Sequence, residues 1–101
     1  MSLMTIPDRD WHNQDTDELF RAILSLETTA EATAFFRDLC TLRELDEMSH
    51  RWAVVRLLEA GLHYREIAER TGASTATITR INQWLQHGTG GYRAILERTR
   101  Q

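Results

Sequence analysis

Apolar residues recur at helical spacing along most of the chain. Leu19, Phe20, Ile23 and Leu24 fall at i, i+1, i+4 and i+5, which is the period of one face of an α-helix. Leu45, Met48, Trp52 and Val55 continue the same kind of stripe further along. We find no alternation of apolar and polar residues long enough for a strand. The pattern therefore predicts an all-α protein.

Capping residues and glycines divide this pattern into six predicted helices. Three residues precede a Glu by three positions, as the N-cap of a capping box does: Asp15, Thr28 and Thr41. Three glycines supply the following helix ends: Gly61, Gly72 and Gly88. The predicted helices span residues 16–26, 29–40, 42–60, 64–70, 74–86 and a short last segment after Gly90 and Gly91.

The first 14 residues have no sustained periodicity and contain the only proline, Pro7. We interpret residues 1–14 as a flexible arm, in which residues 1–3 ahead of Met4 resemble a cloning remnant. The length of 101 residues fits one domain. Residues 15–101 are therefore predicted to form a single helical domain.

The two short predicted helices have the pattern of a helix-turn-helix over about residues 64–86. Such a motif needs a small residue where the helices cross and a glycine at the turn, and Ala68 and Gly72 stand at those positions. Ile67, Ile78 and Ile81 are placed to lock the second helix on the first. The spacing, the turn and the locking residues agree, so we weigh DNA binding above a purely structural helix pair.

Ser74 is a natural N-cap for the second of these helices. Its first turns are rich in small and hydroxyl residues that suit close approach to base edges, phosphates and thymine methyls. We predict DNA contacts from Arg65, Arg70, Ser74, Thr75, Ala76, Thr77, Thr79 and Arg80. Arg65 would read a base or clamp a phosphate, whereas Arg70 and Arg80 are phosphate candidates.

The distribution of charge supports a polyanionic partner, namely double-stranded DNA. The net charge of −3 hides an acidic first half, residues 1–50, with 4 Arg and 11 Asp plus Glu. Residues 51–101 have 8 Arg and 4 Glu. All 12 residues of the Lys-plus-Arg count are Arg, which favours bidentate contacts to phosphate and guanine. The alternative that we keep open is a helix-turn-helix protein-interaction module that has lost DNA binding, for which the acidic half offers a surface to a basic partner.

Other chemistry is not indicated. The four histidines are too dispersed for a helical metal site, and Cys40 has no second cysteine. The sequence shows no phosphate loop, nucleophile elbow or dinucleotide fingerprint. We therefore expect no enzyme, no cofactor and no metal. Acids near the N-terminus argue against export, and no segment is apolar enough for a membrane, so a cytoplasmic location is expected.

The apolar stripes of the first three helices and the last exceed what so short a chain can bury alone. A symmetric homodimer that pairs these helices would cover them. The competing interpretation is a monomeric helical bundle.

The run from Gly72 to Arg80, Gly-Ala-Ser-Thr-Ala-Thr-Ile-Thr-Arg, closely resembles the recognition helix of the Trp repressor superfamily. The segments 19–26 and 35–41 and the pair Gly91-Tyr92 resemble the branch of YerC/YecD type, so the likeness covers nearly residues 16–99. The resemblance implies a fold of six helices in an intertwined homodimer. In that fold the first three helices and the last intertwine across a two-fold axis, and the fourth and fifth form the DNA-reading head.

The resemblance also implies a candidate effector pocket between head and body. In the tryptophan-responsive member, two arginines hold the ligand and a glycine leaves room for its ring. Arg80 matches one arginine, but His50 aligns with the other and Ile81 replaces the glycine. Arg51 could restore a cation if its helix were rotated. L-tryptophan is therefore not expected to bind, and either ligand-free DNA binding or a different effector is predicted.

Overall fold

The computed structural model describes residues 11–100, and no strand occurs among them. Six helices lie wholly within that range, in the order α1 (Gln14–Leu24), α2 (Thr29–Leu39), α3 (Leu42–Glu59), α4 (Tyr64–Thr71), α5 (Thr75–His87) and α6 (Gly91–Thr99). The prediction of an all-α fold with six helices is confirmed. In this part of the chain no helix combines the length and the apolar character needed to cross a membrane.

The chain divides into two compact units between Thr41 and Leu42. The first unit contains α1 and α2, and the second contains α3 to α6. The single domain expected over residues 15–101 stays a prediction. Most of the expected N-terminal arm, residues 1–10, lies outside the described residues.

Helix α1 begins two residues earlier than the sequence predicted, because Asn13 and not Asp15 caps it. The Thr16 N–H donates to Asn13 Oδ1 at 3.1 Å, and the Asn13 N–H donates to Thr16 Oγ1 at 2.8 Å. These reciprocal bonds satisfy two backbone donors at the helix end. Asp15 instead lies in the first turn, where its charge is favourable to the helix dipole. The residues from 13 onward therefore belong to the α1 cap and helix, and not to the arm.

The start of α2 agrees with its predicted cap. The Glu31 N–H donates to Thr28 Oγ1 at 3.0 Å, while the Glu31 carboxylate accepts from the Glu27 N–H at 2.8 Å. Neither α1 nor α2 contains a buried residue. The side chains of Leu24 and Leu39 are 84% and 49% exposed. Residues 11–100 thus leave these two apolar side chains largely exposed.

The second unit has a continuous apolar core. It contains Val54, Val55, Ile67, Ile78, Ile81, Leu85 and Leu96. These residues come from all four helices of the unit, so the core holds α4 and α5 against α3 and α6. Burying a side chain of this size contributes about 1.5–3 kcal/mol. The prediction that Ile67, Ile78 and Ile81 lock α5 on α4 agrees with their burial, since at most 6% of each is exposed.

Candidate nucleic-acid interface

Helices α4 and α5 are joined by the short turn 72–74, and we call residues 64–87 the head. Gly72 ends α4 with φ 78°, in the left-handed region that favours glycine. Its N–H donates to the Ala68 carbonyl at 2.8 Å. The head therefore has the element order and the turn residue of a helix-turn-helix.

Thr71 shapes this turn through its side chain, a role that the sequence analysis missed. Its Oγ1 donates to the Ile67 carbonyl at 2.7 Å and accepts from the Ala73 N–H at 3.1 Å. The Thr71 hydroxyl thus forms hydrogen bonds with a carbonyl near the end of α4 and with a backbone N–H in the turn. A threonine directly before a turn glycine could have suggested such a bond, because hydroxyl side chains often bond to nearby backbone groups there.

Ser74 caps α5 as the sequence predicted. Its Oγ accepts from the Thr77 N–H at 3.1 Å and donates to Thr77 Oγ1 at 3.0 Å. We expect Ser74→Ala to lower the free energy of unfolding by about 0.5–2 kcal/mol, because the first turn of α5 loses its acceptor. Denaturant unfolding at fixed protein concentration measures this loss. Ser74→Asp serves as the control, since Asp is also a good N-cap, and equal destabilisation by both changes would contradict the assigned cap.

The structure brings most of the predicted DNA-contacting residues to the surface of the head. The exposed members are Arg65, Arg70, Ser74, Thr75, Ala76, Thr79 and Arg80. They lie on α4, the turn and the first turns of α5. Small and hydroxyl side chains here leave the α5 backbone accessible, as close approach to a groove floor requires.

Thr77 departs from the expected outward orientation. It is half-buried, and its hydroxyl is engaged by Ser74. It also lines two cavities together with Arg51 and Ile81. Its position one residue before the buried Ile78 turns it toward the interior side of α5, whereas Thr75, Ala76 and Thr79 are exposed.

The arginines of the head differ in their surroundings from Arg93 of α6 and from Arg100, which follows α6. Arg65, Arg70 and Arg80 form no ion pair with any residue between 11 and 100. Arg93, in contrast, pairs with Glu59 at 3.0 Å, and Arg100 pairs with the same carboxylate. Three exposed guanidinium groups on the head are thus available to an external anion.

The residues of the candidate effector pocket fall into two adjacent cavities. One cavity of about 340 Å³ is lined by Glu47, His50, Arg51, Val54, Thr71, Gly72, Ala73, Thr77 and Ile81. The other, of about 390 Å³, is lined by Arg51, Thr77, Arg80, Ile81, Trp84 and Tyr92. Arg51 lines both cavities, so it lies with His50 in the first and with Arg80 in the second. Ile81 lines both cavities and, as a member of the core, is 6% exposed.

The described residues thus form a pair of helices joined at a glycine turn and surrounded by exposed arginines, the arrangement typical of a helix-turn-helix. Comparison with known sequences identifies the family to which the chain belongs. The family description "Trp repressor protein" matches residues 14–100. The chain belongs to the Trp repressor family, which is a family of regulators and not of enzymes.

Individual relatives agree with this assignment. The uncharacterized protein YerC of Bacillus subtilis strain 168 is 41% identical over 88 residues, which is 87% of this chain and 85% of YerC. A solved TrpR-like protein from Eubacterium eligens ATCC 27750 has 44% identity and a TM-score of 0.85, over 89% of this chain and 93% of the other. A solved structure described as a candidate Trp repressor from Staphylococcus aureus has 42% identity and a TM-score of 0.84, over 89% and 90% of the two chains.

Proposed function

We propose that the protein is a sequence-specific DNA-binding transcriptional regulator, most simply a repressor, that uses α4 and α5 as a helix-turn-helix. The observation that carries this proposal is a set of three exposed arginines around the small-residue surface of α5: Arg65, Arg70 and Arg80, which form no ion pair with residues 11–100. An arginine in an ion pair must break that pair before it can bind a phosphate. Arg65, Arg70 and Arg80 have no ion pair with residues 11–100 to break. Membership of the Trp repressor family supports the same function.

The proposed mode of binding follows from the geometry of the head. The first turns of α5 would enter the major groove, with Thr75, Ala76 and Thr79 toward the base edges. Arg65 would read a base or clamp a phosphate from α4, while Arg70 and Arg80 would bind phosphates. A symmetric dimer would place two such helices in successive grooves, ~34 Å apart, over a pseudo-palindrome.

The dependence of DNA binding on salt tests the electrostatic part of this proposal. Each phosphate contact releases counterions, so log K should fall linearly with log salt concentration, by roughly 0.9 per contact. Fluorescence anisotropy of a labelled random duplex between about 50 and 200 mM salt measures the slope. Binding that is absent, or that does not respond to salt, would contradict the proposal.

An intertwined homodimer is proposed as the functional form. The supporting observation is the uncovered apolar surface: Phe20 and Leu24 in α1 and Leu39 in α2 are all at least 41% exposed. In the second unit, Trp84 is 42% exposed and lines an apolar cavity of about 500 Å³ with Trp52. Large apolar side chains exposed on several helices of one chain support an interface with a second copy.

Sedimentation equilibrium at micromolar concentration should therefore show a dimer with no stable monomer. Leu24→Glu is expected to weaken the association because it places a charge on the proposed interface. Arg21→Glu, on the same helix and with a side chain 78% exposed, is the matched control. A single monomeric species with native helix content in the unmodified protein would contradict the proposed dimer.

L-tryptophan is not expected to act as effector. Ile81 fills core space beside Arg80, and inserting a ring into an occupied site typically costs about 1–3 kcal/mol. We expect no binding heat at millimolar tryptophan in calorimetry and no change in DNA affinity. Ile81→Gly removes the side chain that fills this space. It serves as the control that tests whether lack of space is what prevents tryptophan from binding. A tenfold tightening of DNA binding by tryptophan in the unmodified protein would contradict this argument.

A further inference from the structure

Five side chains form a continuous hydrogen-bond chain from the end of α3 to the start of α4. Glu59 Oε1 accepts from Arg93 Nη1 at 3.0 Å, and Arg93 Nη2 donates to Gln86 Oε1 at 3.1 Å. Gln86 Nε2 donates to Asn82 Oδ1 at 3.4 Å, and Asn82 Nδ2 donates to Tyr64 Oη at 3.0 Å. This hydrogen-bond chain joins residues of α3, α6, α5 and α4, in that order.

The direction of every bond in this chain is imposed by Arg93. A guanidinium only donates, so Gln86 must present its amide oxygen to Arg93 and its NH₂ group to Asn82. Asn82 must then present its oxygen to Gln86 and its NH₂ group to Tyr64. Reversing either amide would set donor against donor. Only one orientation of the Gln86 amide and one of the Asn82 amide is therefore compatible with all four hydrogen bonds.

The buried isoleucines hold one face of α5 against α4 and so limit its rotation, and a directional hydrogen bond between the two helices narrows that rotation further. Hydrogen bonds depend steeply on angle, and the bond between Asn82 and Tyr64 joins two half-buried side chains on different helices. By helical period, Asn82 lies on the same face of α5 as Thr75 and Thr79, at i+7 and i+3 from them. An anchor at Asn82 thus sets where that face points relative to α4 and Arg65.

We propose that Tyr64 and Asn82 are positioning residues: their bond, held by the chain through Gln86 and Arg93 to Glu59, sets the rotation of α5 on α4. This inference rests on the proposed function. Its consequence is that the bond between Tyr64 and Asn82 determines the sequence preference of DNA binding, although neither side chain contacts a base.

Tyr64→Phe is the sharpest test, because it removes one oxygen and keeps the ring packed against the core. Asn82→Ala removes the other partner. Tyr92→Phe is the matched control, since Tyr92 is also half-buried and its hydroxyl has no hydrogen bond to residues 11–100. Asn82→Asp is the rescue, because a carboxylate can accept from both Gln86 and the Tyr64 hydroxyl.

Two quantities are measured on the full-length protein. The first is the ratio of affinities for the selected duplex and a scrambled duplex. We expect it to fall about 3- to 10-fold in Tyr64→Phe and in Asn82→Ala, with no further fall in the double variant. The ratio should be unchanged in Tyr92→Phe and largely restored in Asn82→Asp. The second is amide hydrogen exchange along α5 without DNA, which should accelerate by a similar factor in Tyr64→Phe and Asn82→Ala.

An unchanged ratio in Tyr64→Phe and Asn82→Ala would overturn the inference, whatever the exchange rates. A fall in the ratio without faster exchange would also overturn it, because the hydroxyl would then act on DNA directly. If the unmodified protein binds no duplex, the proposed function fails by itself. Exchange along α5 then decides alone whether the chain positions the helix, and rates equal to those of Tyr92→Phe would reject it.

Discussion

Replacing Ile78 by Ala is expected to lower the free energy of unfolding by about 2–5 kcal/mol. Ile78 is 0% exposed and lies on α5 in the core that includes Ile67 of α4 and Val54 of α3. Its removal leaves a cavity at the place where the head is held to the rest of its unit, and close-packed neighbours refill such a space only in part. Guanidinium unfolding at fixed protein concentration measures the loss.

Ile78→Val is the graded control, because it removes one methylene and should cost only about 0.5–1.5 kcal/mol. Ala76→Gly, at an exposed position in the first turn of the same helix, tests backbone propensity and should cost at most about 1 kcal/mol, the value for a helix interior. If Ile78→Ala destabilised no more than Ala76→Gly, the assignment of Ile78 to the core of the head would be wrong.

Replacing Arg65 by Ala is expected to weaken DNA binding by about 1–3 kcal/mol if the guanidinium forms a bidentate contact with guanine, and to relax the preference at one position. If Arg65 binds a phosphate instead, all sequences should lose affinity alike and the salt slope should fall by about one. Anisotropy titrations on matched and scrambled duplexes distinguish these two roles. Arg65 is exposed in the first turn of α4, so the fold itself should tolerate the change.

Arg98→Ala is the matched control for this experiment. Arg98 is an exposed arginine in the last turn of α6, outside the head. Its removal subtracts the same charge and should leave the preference for sequence unaltered. Equal effects of the two substitutions would mean that only the net charge matters, and the proposed role of Arg65 would be excluded.

The order of helices could be predicted from the sequence because apolar period, caps and glycines are local features. The turn at Gly72 and the cap at Ser74 were predictable for the same reason. The start of α1 was not, since Asn13 and Asp15 are both good N-cap residues and only the reciprocal bonds with Thr16 decide between them.

Features that depend on tertiary packing lay beyond the sequence. Thr77 is one residue from exposed neighbours and could be expected to face outward, but its bond to Ser74 and its half-buried position turn it inward. The contact of Asn82 with Tyr64 joins residues 18 apart and carries no periodic pattern. That Arg51 and Arg80 line the same cavity likewise depends on how α3 and α5 pack.

Selection from a pool of random duplexes tests the central claim most directly. With the unmodified protein, we expect enrichment of a pseudo-palindrome whose half-sites lie about one helical turn apart, ~34 Å. The enriched duplex should compete with bulk DNA at moderate salt. A pool that shows no enriched motif, together with a stoichiometric complex between this protein and a basic protein partner, would contradict DNA reading and favour a protein-interaction module.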